Sequence, residues 1–149
     1  MKKTQQHRGF TLIELLVVIA IIGMLSSVVL ASLTSARLKS RDARRSADMQ
    51  QVQLALELYA TDNGGSYPPH EAGTLRYLDK VIGLAPKYIA VIPQDPLWPT
   101  NSNDYRYLAQ GVKGYVLLRR HEGNNSWCRI VYGSGLPGWW GNYPLCSSL

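Results

Sequence analysis

At 149 residues the chain is long enough for one domain with a real core and too short for two comfortable ones. Its apolar fraction of 46% is ordinary for a globular protein but unevenly spent, because residues 12–31 hold one charge, Glu14. The net charge of +6 is partly concentrated at the start, in Lys2, Lys3 and Arg8. The remainder has the mild bias of a solvated surface, which disfavours a dedicated nucleic-acid binder.

The opening Met1–Gly9 is short, polar and positive, and Leu15–Leu25 is apolar without interruption, which is a targeting layout. A secretory signal would be cut after the apolar run, and Val29-Leu30-Ala31 offers small residues for that cut, releasing a conventionally secreted soluble protein. Two features oppose this. Glu14 inside the apolar segment costs about 2.5–3.5 kcal/mol on insertion scales, so a disposable leader has no use for it. The helical pattern also runs on with no Gly or Pro between Met24 and Asn63, as in a segment built to stay attached.

One helix is therefore predicted from Phe10 to about Asp62, roughly 80 Å long at about 1.5 Å per residue. Residues 10–31 form its transmembrane part and 32–62 its amphipathic continuation. Gln50, Gln53, Glu57 and Thr61 mark one face; Val52, Leu54, Ala55, Leu56, Leu58 and Tyr59 cover a broad arc opposite, part of which should pack on a sheet. Asn63-Gly64-Gly65-Ser66-Tyr67-Pro68-Pro69 stops the helix.

Residues 63–149 read as a globular domain. Thr74–Val81 is expected as a short helix, and Ile92–Pro99 is too proline-rich for regular structure. Three strands follow, Tyr105–Ala109, Gly114–His121 and Trp127–Tyr132, with turns at Gln110-Gly111 and Gly123-Asn124-Asn125. The fold class is α+β, a long N-terminal helix on a small antiparallel sheet. Cys128 and Cys146 are the only cysteines, and an even pair in an exported segment suggests one disulfide.

The run Gly9-Phe10-Thr11-Leu12-Ile13-Glu14-Leu15, behind a basic leader and ahead of an apolar helix, resembles the processing site of type IV prepilins and the pseudopilins of type II secretion. The resemblance implies a leader peptide of residues 1–9, cleavage between Gly9 and Phe10 by a prepilin peptidase, and N-methylation of Phe10. It also implies assembly through Glu14, which would face the N-terminus of a neighbouring copy. A long helix followed by a small sheet is similar to the pilin fold. Pro93, Asp95, Pro96, Tyr105 and Tyr107 look like the Asp-Pro-Trp and Tyr-x-Tyr region of the major pseudopilin, with Leu97 intervening before Trp98. The Cys128–Cys146 loop instead resembles the C-terminal disulfide loop of many type IV pilins.

The chain departs from the pattern where Ala31 stands in place of a Pro common in the family. No Asp follows Asp104, so the calcium site usual in the major pseudopilin is not carried over, and no metal or cofactor is expected. Arg37, Lys39, Arg41, Arg44 and Arg45 follow the span and outnumber the basic residues before it, against a positive-inside count. The processing motif outweighs the count and keeps the N-terminus cytoplasmic. Contact with lipid head groups is the plain account of these basic residues.

Other motifs yield little chemistry. Gly133-Ser134-Gly135-Leu136-Pro137-Gly138 fits G-x-G-x-x-G, but Pro137, Trp139-Trp140 and Pro144 forbid the helix that would hold a pyrophosphate. His7, His70 and His121 lack ligand spacing, and Asp79, Asp95 and Asp104 read as turn formers, so no catalytic residues are nominated and no enzyme is expected. Trp98, Trp127, Trp139 and Trp140 beside Arg119, Arg120 and Arg129 could stack on DNA bases, but core packing weighs more.

The sequence thus points to a structural subunit of a pilus-like or pseudopilus filament. Its partners would be copies of itself, the prepilin peptidase, an assembly platform with its ATPase, and membrane lipid before assembly. It would begin as a single-pass bacterial inner-membrane precursor with the globular domain outside the cytoplasm, then become a periplasmic or surface filament. The alternatives are a minor pilin, adhesin or DNA-uptake pilin, and the soluble secreted protein.

Overall fold

A computed structural model describes residues 9–69, 75–81, 83–97, 99, 104–109, 113–122, 125–133 and 143–146. Helix α1 covers Leu12–Asp62, β1 Arg76–Tyr77, β2 Arg106–Ala109, β3 Gly114–His121 and β4 Ser126–Gly133. The strands form one sheet in the order β1-β2-β3-β4, each neighbouring pair antiparallel. The fold is α+β and pilin-like. Two compact units are separated after Arg37.

In the first unit α1 is apolar and long enough to cross a bilayer. Three of its hydroxyls bond back to the helix: Ser26 donates to the Ile22 carbonyl (2.7 Å), Ser27 to Met24 (2.8 Å) and Thr34 to Leu30 (3.0 Å). These three hydroxyls are thereby satisfied without water, as a hydrocarbon environment demands. The helix continues without a break through Ala31. It begins at Leu12, two residues later than expected, because Thr11 acts as its cap.

In the second unit Met49, Val52, Ala55, Leu56 and Ala60 recur every three or four positions and form the buried stripe of α1. They meet Tyr107, Ala109, Tyr115 and Leu117 from one face of β2 and β3. Only part of the apolar arc packs on the sheet, as expected: Leu54 and Leu58 are exposed, since a helix lying on one sheet buries only a stripe. The opposite sheet face carries a second cluster of Leu108, Val116 and Leu118, packed by Leu75, Trp127 and Tyr143.

Helix α1 ends as Gly64 (φ 65°) and Gly65 (φ 83°) turn the chain into the left-handed region, and the Gly65 N–H bonds the Ala60 carbonyl (2.8 Å). The expected helix over Thr74–Val81 is corrected; Thr74 itself lies outside the described residues. Arg76 and Tyr77 pair with Tyr107 and Arg106, and only Leu78–Lys80 is helical, as a 3-10 turn. Sheet pairing decides here, because it completes the edge of β2 and lets Leu78 reach the core.

β3 has the expected bounds. β2 starts at Arg106, one residue after Tyr105, and β4 runs one residue further at each end. The outer edge of β4 is partly covered: the Arg129 N–H donates to the Pro144 carbonyl (2.9 Å), and Arg129 bridges Leu145 in parallel.

Candidate functional site

Gly9 and Phe10 are exposed and non-helical, so the peptide bond between them lies in an open segment immediately before α1. Thr11 and Glu14 close the helix end reciprocally. The Glu14 N–H donates to Thr11 Oγ1 (3.3 Å), while Glu14 Oε2 accepts from the Thr11 N–H (2.8 Å) and from its hydroxyl (2.6 Å). This is the Thr-x-x-Glu capping box, which satisfies two backbone donors that a helix start leaves orphaned. Glu14 therefore has a local role within the single chain, which the reading of it as a charge without use in a plain anchor missed. The signal was present in the sequence spacing.

The second constellation lies between α1, the Pro93–Leu97 segment and the end of β3. Arg45, wholly buried, grips Asp95 with two bonds, Nε to Oδ2 (2.6 Å) and Nη2 to Oδ1 (3.0 Å). Its Nη1 reaches Asp42 (2.8 Å) and its Nη2 also reaches Glu122 (3.2 Å). Arg41 Nε holds both oxygens of Glu122 (2.9 and 2.7 Å), whose N–H in turn donates to Asp42 (3.2 Å). Burial works against the Arg45 charge, but the bonds from Asp95, Asp42 and Glu122 outweigh it and hold its pKa above the ordinary value.

Two sequence expectations are corrected here. Arg45 does not face lipid, and Arg41 is engaged by Glu122. Asp95 is more than a turn former: it accepts the Leu97 N–H (2.9 Å) as a turn residue does, but its buried carboxylate also ties that turn to α1. The pairs with Asp95 and Glu122 span 50 to 81 positions and leave no local sequence signal.

Further along α1, Asp48 accepts from the Tyr105 hydroxyl (2.7 Å), and Glu57 accepts from Tyr67 (3.1 Å) and Tyr115 (3.4 Å). Burial first, and the neighbouring carboxylate second, push the Tyr105 and Tyr67 hydroxyls above the ordinary range, so both stay protonated donors. Tyr105 and Tyr107 of the Tyr-x-Tyr segment are core residues bonding Asp48 and the Pro68 carbonyl (3.1 Å). Cys128 and Cys146 are joined by a disulfide with Cα atoms 4.9 Å apart, beside the edge that Pro144 and Leu145 cover.

Of the suggested base-stacking surface, the described residues Arg119 and Trp127 lie on opposite faces of the sheet. Arg119 is buried on the helix side of the sheet, where burial lowers its pKa. Trp127 packs on the opposite face and takes Arg106 over its ring (5.1 Å). His121 lies 3.5 Å from Asp42, while His7, His70, Trp98, Trp139, Trp140 and all of the glycine motif after Gly133 lie outside the described residues. Among the described residues no group of three or more His, Cys, Asp or Glu could hold a metal.

Residues 4–30 match the family model of the prokaryotic N-terminal methylation motif. Core protein G of the type II secretion system from Vibrio cholerae serotype O1 is 34% identical over 122 residues, 78% of this chain and 80% of that protein. This chain belongs to the core protein G family. The Escherichia coli K12 relative is 36% identical over 127 residues, covering 79% of this chain and 83% of its own length. The Klebsiella pneumoniae relative is 36% identical over 120 residues, covering 75% and 81%. No solved structure matches the chain. Membership resolves the mixed signals of the C-terminal half: the core protein G likeness of the Pro93–Tyr107 region outweighs the pilin-like disulfide loop.

Proposed function

We propose that this core protein G homologue is a filament subunit of a type II secretion pseudopilus, cut between Gly9 and Phe10, methylated on Phe10 and assembled through α1. The observation that carries the reading is kinship with proteins named as type II secretion core components over about four fifths of their length. The exposed Gly9–Phe10 bond supports it, since a peptidase needs an extended, accessible substrate. Residues 10–31 anchor the precursor in the inner membrane with the N-terminus cytoplasmic and Leu38–Leu149 on the periplasmic side. Copies of the chain, the prepilin peptidase, and the assembly platform with its ATPase are the partners. The chemistry of the cut belongs to the peptidase, and this chain supplies the substrate and then the building block.

The test has two stages. Intact mass of the membrane fraction should show loss of Met1–Gly9 and gain of one methyl; a mature form beginning at Ser32 refutes the reading in favour of a secreted soluble protein. Glu14→Ala should still be inserted and cleaved but should give few filaments when it is the sole subunit. Wild-type filament numbers from the cleaved variant would remove Glu14 from assembly.

A further inference from the structure

The turn that stops α1 carries a reactive pair. Among the chain's six asparagines only Asn63 is followed by glycine, and both residues of that pair are exposed. The Gly64 N–H has no hydrogen-bond partner among the described residues, although its neighbours are all used: Asn63 donates to the Tyr59 carbonyl (3.0 Å), Gly65 to Ala60 (2.8 Å) and Ser66 to Asn63 (3.2 Å). Nothing lies within 4 Å of the place where a Cβ on Gly64 would stand, so the nitrogen is open to approach.

The Asn63 side chain is the other half of the pair. Its Nδ2 donates to the Tyr59 carbonyl (2.8 Å), which keeps the amide beside its own main chain. Joining Asn63 Cγ to the Gly64 nitrogen closes a five-membered ring, so the reaction needs no second molecule and has the advantage of an intramolecular step. A side chain on the following residue would crowd that ring, and glycine has none. The attack needs the Asn63–Gly64 peptide to rotate out of the turn, and the last turn of a helix, held by exposed hydrogen bonds, opens at little cost.

We propose that Asn63 is a site of spontaneous deamidation in the folded protein and that its conversion weakens the stop of α1. The deprotonated Gly64 nitrogen attacks Asn63 Cγ. A C–N bond forms, the Cγ–Nδ2 bond breaks, and the amide nitrogen leaves as ammonia with the proton that Gly64 gave up. Water then opens the succinimide at either carbonyl, which restores the Gly64 N–H and leaves aspartate or isoaspartate at position 63. The product carboxylate stands at the negative end of the helix dipole and next to Asp62, which Lys87 already engages (2.8 Å). It no longer donates to the Tyr59 carbonyl, one of the acceptors a helix end leaves open. The isoaspartyl form also lengthens the main chain by one methylene, which misaligns the Gly65 and Ser66 bonds. None of this depends on the pseudopilin reading.

The experiment holds the full-length chain in detergent at physiological temperature, at neutral and at alkaline pH, and samples it over weeks. Trypsin releases residues 46–76 as one fragment, in which Asn63 is the only asparagine. That fragment should gain one mass unit, faster at alkaline pH because the attacking nitrogen must lose its proton, and no other asparagine should match its rate. Gly64→Ala should slow the gain several-fold. Because Ala is strained at φ 65°, Asn63→Gln serves as a second control that leaves Gly64 in place; its six-membered ring closes far more slowly, so its fragment should keep its mass. Asn63→Asp, which builds one product directly, should melt about 2–5 °C below wild type. A wild-type fragment that keeps its mass while an unstructured peptide of residues 56–68 is converted under the same conditions shows that the fold protects Asn63 and overturns the site. A gain that persists in Asn63→Gln also overturns it, assigning the change to a glutamine of the fragment. An Asn63→Asp chain as stable as wild type overturns the effect on the helix stop.

Discussion

Replacing Asp95 by Ala tests whether the buried ion cluster fastens the Pro93–Leu97 segment to α1. The Arg45 and Asp95 side chains are both wholly buried, and the guanidinium makes two of its bonds to this one carboxylate. Deleting one member of a buried pair costs about 3–5 kcal/mol, because the other charge stays in place without its partner. Arg45 keeps Asp42 at 2.8 Å and Glu122 at 3.2 Å, which sets the loss near the low end, about 3 kcal/mol. The Leu97 N–H loses its acceptor as well, adding about 1 kcal/mol. The sum, about 4 kcal/mol, corresponds to a fall of roughly 15 °C in Tm for a unit of this size. Urea denaturation of the full chain in detergent, followed by Trp fluorescence, reads it directly. Asp95→Asn, which keeps an acceptor for Leu97, should lose less. A loss under about 1 kcal/mol for Asp95→Ala would show that the cluster is dispensable and refute the reasoning.

Cys128→Ser with Cys146→Ser should cost about 3 kcal/mol in the chain-entropy model and loosen the cover on β4, visible as faster amide exchange at Arg129. Thiol labelling of both wild-type cysteines without prior reduction would show that no bond forms in the exported protein. Asp104 has its pKa raised by burial first and by Asp79 second. A carboxyl raised in the folded state binds more protons there than in the unfolded chain, so its contribution is full below the unfolded value and is lost as pH rises through the folded one. Asp104→Asn should therefore be more stable than wild type at neutral pH, with the advantage vanishing below the ordinary Asp range. An advantage that persists under acid conditions would show that the effect is not electrostatic.

Elements set by local pattern were legible in the sequence. The apolar run, the Asn63-Gly64-Gly65 stop and the bounds of β3 follow from periodicity and turn chemistry, and the structure has them where those signals lie. What escaped was set at long range. Arg76 and Tyr77 look helical by neighbours alone and become a strand only because β2 offers an edge. Arg45 stands in a basic run with Asp42 three positions away, yet its other two partners lie 50 and 77 positions away, where no window of periodicity reaches. Which part of the apolar arc packs is also not local: apolarity marks a permissible face, while the sheet fixes how much of it is covered, leaving Leu54 and Leu58 exposed. Thr11 is a different kind of omission, since a Thr three residues before a Glu at the start of an apolar helix is a readable cap.

That cap changes how Glu14 should be understood. A carboxylate in an apolar helix is costly when bare, but here both Thr11 donors converge on a single oxygen, Oε2. Its charge is thus partly satisfied within one chain, which lowers the cost of holding it in the membrane before assembly. The other oxygen, Oε1, has no hydrogen-bond partner among the described residues and can still accept from a cation. A neighbour's Phe10 amine, once cleavage has created it, could therefore be received without dismantling the helix start. Tolerance of the membrane and readiness for a partner then reside in the two oxygens of one side chain. On the proposed function, the carboxylate that a plain anchor would exclude is compatible with both the lipid-embedded precursor and the packed filament, because Thr11 occupies only half of it.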